Sequence, residues 1–272
     1  MNKITTYLFS VKHQSKEIGW FRNALYLFIL YKVFLYSTQF DALFSSHKLI
    51  YQSIKHVNFI TDMMYFLNNN YSPVVAVFFI VTISILSIIG LLKKSNYLFD
   101  FVLWFCVINL SNFLYSVQTG GDYMLNQLLL LNCFLVPKES NNLIVNDIKT
   151  ALHNSALLAL KIQICLAYFI AAYYKVIDPS WIDGSAVYKT FQVPEFSNSL
   201  FQSVPYSITV VLTYLTMVYQ LSFPFLVWFR PFKIYLFSFG ILQHLFIAFG
   251  MGLVSFGLVM IICYILFLKY DY

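Results

Sequence analysis

The sequence predicts an all-α integral membrane protein with about eight transmembrane helices in one bundle. Of its 272 residues, 60% are hydrophobic and only 10% are charged. A soluble domain carries about 25% charged residues, so too few are present here to cover a water-facing surface. Apolar runs recur at lengths suited to a hydrocarbon core roughly 30 Å thick. Lysines and arginines concentrate on alternate connections between those runs, as the positive-inside rule requires. The net charge of +6 therefore speaks to orientation. No basic cluster tracks a groove, and no nucleic-acid partner is expected.

Residues 1–18 are polar and basic, with Lys3, Lys12 and Lys16. They lack the long apolar core and small-residue cleavage site of a removable signal, and read as a cytoplasmic N-terminal segment. Residues 19–272 form the transmembrane domain. The first span runs over about 20–40 and contains Lys32, which reads most simply as a snorkelling lysine. The stretch 41–72 is too polar to span, but Leu43, Phe44, Ile50, Ile54 and Val57 recur at helical spacing, so part of it suits the membrane surface. Pro73 opens the second span, which Lys93-Lys94 closes. The third covers about 97–117, with Asn109 and Asn112 on one face, where amides find partners on other helices.

Gly120-Gly121-Asp122 is turn chemistry ahead of a short fourth span, 123–136, that carries Asn126, Gln127 and Asn132. A polar connection at 137–149, a loop with a helix cap, leads to the fifth span, 151–177. The sixth covers 208–229 and contains Pro224, a kink site. Arg230-Pro231-Phe232-Lys233 reads as a basic turn before the seventh span, 234–249. Gly250-Met251-Gly252 separates it from the eighth, 253–268. With the N-terminus inside, eleven lysines and arginines, among them Lys93, Lys94, Arg230 and Lys233, fall on the inner side. Only four, Lys48, Lys55, Lys175 and Lys189, fall outside. This places both termini in the cytoplasm, in a cytoplasmic or cell inner membrane.

The chemistry concentrates at the outer end of the fifth span. Lys175 sits where hydrophobicity fails, Asp178-Pro179 breaks the helix, and Trp181 suits the membrane–water boundary. Asp183-Gly184 supplies a turn before a short interfacial helix over 185–191. Lys175, desolvated beside Tyr173 and Tyr174, could act as a general base, but a lysine at a helix end more commonly reaches for lipid headgroups. His244 shares a four-residue stripe with Gly240, Ala248 and Gly252, so it points at another helix, as a proton relay or a hydrogen-bonded interior histidine. Asp122, Gln163, Trp181, Asp183 and Gln220 are candidates for a polar cavity, although turn formation explains both aspartates and helix-to-helix bonding explains the amides. No metal site is expected, because no second histidine or carboxylate stands at ligand spacing from His244. Cys106, Cys133, Cys165 and Cys263 lie singly in apolar runs and read as small buried hydrophobes.

Three stretches together resemble the horizontally transferred transmembrane (HTTM) family, related to vitamin K-dependent gamma-carboxylase. They are Gly120-Gly121-Asp122 leading into Leu128–Leu131; Lys161 and Gln163 through Tyr168, Lys175, Trp181, Asp183, Gly184 and Ala186; and Phe223-Pro224 to Arg230, then His244, Met251-Gly252, Phe256 and Val259-Met260. In the carboxylase, a lysine in the second stretch is the base that deprotonates vitamin K hydroquinone, and Lys175 matches it. The resemblance thus implies a quinone-like cofactor or substrate. Departures accompany it: one residue is inserted between Lys175 and Trp181, Tyr174 replaces a second lysine, and Gln220 stands where a glutamate is expected. The large peptide-recognising region has no counterpart in 272 residues, which argues against carboxylation of protein glutamates. Two readings follow. One is a membrane enzyme acting on a quinone-like or other lipid-soluble substrate. The other is a non-enzymatic factor for the maturation, export or immunity of a secreted peptide, as the resemblance to bacterial relatives implies.

Overall fold

The computed structural model describes residues 7–9, 14–44, 73–94, 96–114, 117–135, 141–197 and 199–268, and all regular structure among them is helical. Helix α1 covers Ser15–Thr38, followed by the one-turn α2, Phe40–Phe44. Helices α3, α4 and α5 cover Pro73–Leu91, Tyr97–Phe113 and Gly120–Asn132. Helix α6 runs unbroken over Leu143–Ile177. Two short helices follow, α7 (Pro179–Ile182) and α8 (Ala186–Phe191), then a 3-10 turn at Pro194–Phe196 and the short α9, Ser199–Gln202. Helix α10 spans Tyr206–Leu226; α11, Arg230–Leu245, passes directly into a π-helical turn at Phe246–Gly250. Helix α12, Val254–Tyr264, ends in a 3-10 turn, Ile265–Phe267.

Among the described residues, five helices are long and apolar enough to cross a membrane: Ser15–Thr38, Pro73–Leu91, Leu143–Ile177, Tyr206–Leu226 and Arg230–Gly250. Tyr97–Ser111 and Val254–Phe267 are shorter apolar helices. Large apolar side chains such as Phe78, Ile234 and Leu242 stand exposed at 65%, 70% and 69%, a surface matched to lipid rather than water. Helices are what lipid demands, since every backbone donor must find its acceptor within the segment. The chain has the make-up of a membrane protein.

Several boundaries differ from the expectation, the first helix beginning at Ser15, within the expected N-terminal segment. Residues 143–150 are not a connection but the first turns of α6, because the Asn142 carboxamide accepts the Val145 N–H at 3.2 Å and caps the helix. The 35 residues of α6 rise about 52 Å, well beyond the hydrocarbon core. Arg230–Lys233 is likewise helical rather than a turn: Pro231 sits in the first helical positions, where its missing N–H costs nothing. Most of the expected surface stretch at 41–72 lies outside the described residues, as do Pro137 and Lys138.

By contacts the chain divides into two compact units, Met1–Leu157 and Leu158–Tyr272. In the first, α3 packs against α1 and α4, and α4 against α5. A Cβ on Gly90 would lie 2.6 Å from the Tyr26 ring, so glycine there lets α1 and α3 close around that ring. Helix α3 ends with Lys93 at φ 56°, Lys93 N bonding to Gly90 O and Lys94 N to Ile89 O, a Schellman closure without its usual glycine.

Helix α5 has only 13 residues, and α1 holds it at both ends. At its start, Asp122 accepts from the Thr119 N–H (2.8 Å) and hydroxyl (3.0 Å) and pairs with Lys32. At its end, the Arg22 guanidinium donates to Asn132 O (3.2 Å), Asn132 Oδ1 (3.3 Å) and Leu135 O (2.8 Å), a cation on the negative end of the helix. Arg22 also pairs with Asp100 at 2.7 Å and donates to the Tyr26 hydroxyl at 2.7 Å, and that hydroxyl donates to the other Asp100 oxygen at 2.7 Å. Lys32 is therefore not a snorkelling lysine. It is 7% exposed, because α5 brings a counter-charge to it inside the protein. Gly120-Gly121-Asp122, expected as a turn, is instead the first turn of α5, with Thr119 as the residue before it; Asp122 caps the helix from its third position and neutralises Lys32.

In the second unit, α7 and α8 pack on α10, α10 on α11, and α11 with its π-turn on α12. A Cβ on Gly257 would meet His244 O at 2.3 Å, so α12 approaches the α11 backbone through a glycine. The stripe Gly240–His244–Ala248 is buried as expected, but Gly252 is exposed with no atom near its Cβ position. The π-turn shifts the register after Leu245, and Gly252 leaves the helix with φ 73°.

Candidate functional site

The C-terminal end of α6 is a tightly specified corner. Asp178 caps α7, its carboxylate accepting the Ser180 N–H at 2.7 Å, with Pro179 in the first helical position. Gly184 has φ 79°, and its α-carbon faces Val210 and Tyr214 of α10 so closely that a Cβ would meet Val210 at 2.9 Å. The Tyr214 hydroxyl donates to Ile182 O (2.8 Å), and the Val187 N–H donates to the Thr213 hydroxyl (3.2 Å), which ties both short helices to α10. Asp183 is exposed; its carboxylate accepts the Ser185 N–H at 2.8 Å, and bonding to Ser185 holds the carboxyl below its ordinary range. It is a turn residue, as the sequence reading allowed.

Lys175 lies in this corner, half-buried, with its ammonium 4.7 Å from the centre of the half-buried Trp181 ring. Its hydrogen bond is a long one, 3.5 Å to Ala171 O. No described carboxylate stands within ion-pair distance, and the ion pairs Arg22–Asp100 and Lys32–Asp122 do not involve it. An aromatic face holds a cation by about 0.5–2 kcal/mol, and leaves the ammonium without a neutralising charge. Tyr173 and Tyr174 are exposed at 56% and 63% and stack edge to face with each other; they do not cover the lysine.

The second cluster is deep in the same unit. His244 is 2% exposed and meets the Tyr168 hydroxyl through Nε2 at 2.7 Å. The Tyr168 hydroxyl also meets that of Tyr264 (2.6 Å), which meets that of Tyr219 (2.7 Å). Gly240 makes this junction possible, since a Cβ there would lie 2.1 Å from the Tyr219 oxygen and 2.2 Å from that of Tyr264. Phe223 stacks on Tyr168 with centroids 4.1 Å apart and walls the cluster off. His244 Nδ1 is buried and has no hydrogen-bond partner among the described residues.

The remaining candidates scatter. Asp122 is in the first unit, serving α5 and Lys32. Gln163 is half-buried on α6. Gln220 is half-buried on α10, its Oε1 without a described partner; Gln243 Oε1 is the same, while its amide nitrogen donates to the Thr216 hydroxyl at 3.5 Å. Asn109 is buried and donates back to Phe105 O at 2.8 Å, and the Asn112 side chain is outside the described residues. The four cysteines are buried and free. Among the described residues no group of three or more His, Cys, Asp or Glu is placed to hold a metal.

Sequence reasoning missed the tyrosines. Tyr219 and Tyr264 are two of 21, and the one signal for them was Gly240, four residues before His244. It also missed Arg22–Asp100 and Lys32–Asp122, whose members are far apart in sequence. Protein-family models, curated proteins and solved structures offer no match to this chain.

Proposed function

We propose that the chain is an eight-span membrane enzyme of the HTTM type, acting on a quinone-like or other lipid-soluble substrate with Lys175 as base. Both termini would lie in the cytoplasm, and Lys175 would sit at the outer surface of a cytoplasmic or cell inner membrane. In this reading the five long apolar helices, the two shorter ones and the tethered α5 would be the eight passes. The observation that carries the reading is the setting of Lys175: half-buried against Trp181, with no described carboxylate paired to it. The contrast with Lys32, which is consumed by Asp122, is direct. A lysine with no ion-pair partner among the described residues, beside a flat aromatic face, suits a planar ring that arrives from the bilayer and gives up a proton. Carboxylation of protein glutamates is not part of the proposal.

The test is mass spectrometry of whatever survives gentle purification. An isoprenoid quinone or related ring compound in stoichiometric amount, lost in the Lys175→Ala protein, is the expected result. A co-purifying short peptide in its place would favour a non-enzymatic maturation, export or immunity factor.

A further inference from the structure

His244 and the three phenols constrain one another's hydrogens. Three links join them: His244 Nε2 to Tyr168, Tyr168 to Tyr264, and Tyr264 to Tyr219. Each link needs one hydrogen. No described carboxylate pairs with His244, and a buried imidazolium without one is costly, so the ring is neutral and carries a single N–H. With that hydrogen on Nε2, four hydrogens serve three links: one phenol hydrogen has no acceptor, and Nδ1 is left bare as well. With it on Nδ1, the phenols supply all three links in one direction, from Tyr219 through Tyr264 and Tyr168 to Nε2. Only the Nδ1–H is then left over. Buried polar groups pair wherever they can, so the cluster selects the Nδ1–H form.

We propose that His244 Nδ1–H is the docking point for a neutral hydrogen-bond acceptor, the carbonyl oxygen of a membrane-soluble molecule. The site presents one donor in a nest of rings: Phe256 at 5.8 Å, Tyr264 at 6.0 Å and Tyr168 at 6.2 Å between centroids. A water needs two to four polar partners to be held. A carbonyl needs one donor and brings an apolar body that suits these neighbours. Phe256, whose ring lies against His244, is half-exposed, so this side of the cluster reaches the apolar surface of the protein. The π-turn at Phe246–Gly250 begins two residues beyond His244, and such wide turns recur at functional sites. This rests on the lipid-soluble substrate proposed above and names the residue that holds its oxidised, carbonyl-bearing quinone form, as distinct from the hydroquinone that gives up a proton; it does not require Lys175 to be the base.

The test is 15N-histidine NMR of the full-length protein in detergent micelles. His244→Gln identifies the resonance among five histidines, with His244→Asn as the substitute should that variant not fold. The probe is a short-chain 1,4-benzoquinone, and the control is its hydroquinone dimethyl ether, which has no carbonyl. The expected result is an Nδ1-protonated His244 whose Nδ1 resonance moves with the quinone and not with the ether. His244→Gln keeps a partner for Tyr168 but has no donor at the Nδ1 position, so it binds the quinone about tenfold more weakly in equilibrium dialysis. An Nε2-protonated ring, or an Nδ1 resonance unmoved at saturating quinone, overturns the proposal. If the quinone binds the protein and Nδ1 stays unmoved, this inference alone fails. If no quinone binds, it fails together with the proposed function.

Discussion

Replacing Gly240 by alanine adds one carbon at the junction of the phenol cluster. That carbon would lie 2.1 Å from the Tyr219 oxygen and 2.2 Å from the Tyr264 oxygen, each more than 1 Å inside the 3.4 Å at which ordinary contact begins. Both hydroxyls must move, and the bonds joining Tyr219, Tyr264 and Tyr168 go with them. Each lost bond costs about 1 kcal/mol, and each buried hydroxyl left unpaired about 1–3 kcal/mol. Alanine returns about 1 kcal/mol of helix propensity, so with two bonds lost and two hydroxyls unpaired the net destabilisation is about 3–7 kcal/mol. Gly19→Ala is the control, because nothing lies within 4 Å of its Cβ position in α1, and it should be neutral or stabilising by up to about 1 kcal/mol. Thermal unfolding in a fixed detergent, followed by circular dichroism, compares the two. A Gly240→Ala protein that melts with or above Gly19→Ala would refute the cluster.

Asp122→Ala should destabilise by about 3–5 kcal/mol, because it uncaps α5 and strands the Lys32 ammonium, whereas Lys32→Met combined with Asp122→Asn should recover most of that loss in the same assay. A double variant no better than Asp122→Ala would show that the pair is not what holds the two residues. For topology, cysteines placed at Lys94 and at Lys189 should label from opposite sides of the membrane, Lys189→Cys from outside, with the four buried native cysteines silent. Labelling of both from one side would contradict eight spans with cytoplasmic termini.

The helices were legible because the bilayer leaves the backbone little choice, and prolines and glycines mark where each apolar run stops. Pro73, Pro179 and Gly184 do what their chemistry suggests. Asn142 and Pro231 were signals of equal quality, but the polar residues around them made each look like a connection. What periodicity could not carry is pairing over distance. Asp122 lies 90 residues from Lys32 and Asp100 lies 78 from Arg22, and nothing local tells a paired lysine from a snorkelling one. The histidine's burial was readable from its small-residue stripe. The direction of its hydrogen bonds was not, since that depends on three tyrosines from three separate helices.

The base role of Lys175 is tested most directly with hydroquinone. Removing a proton gives an anion that dissolved dioxygen oxidises to quinone, with hydrogen peroxide as the other product, so oxygen uptake reads the deprotonation. The purified protein with a short-chain hydroquinone in micelles should consume oxygen faster than micelles alone. Lys175→Ala should fall to the background rate with unchanged helicity, and Lys175→Arg should fall with it, because a guanidinium keeps its charge at any workable pH. An arginine variant as fast as the parent would show that Lys175 anchors the helix end at the headgroups and takes no proton.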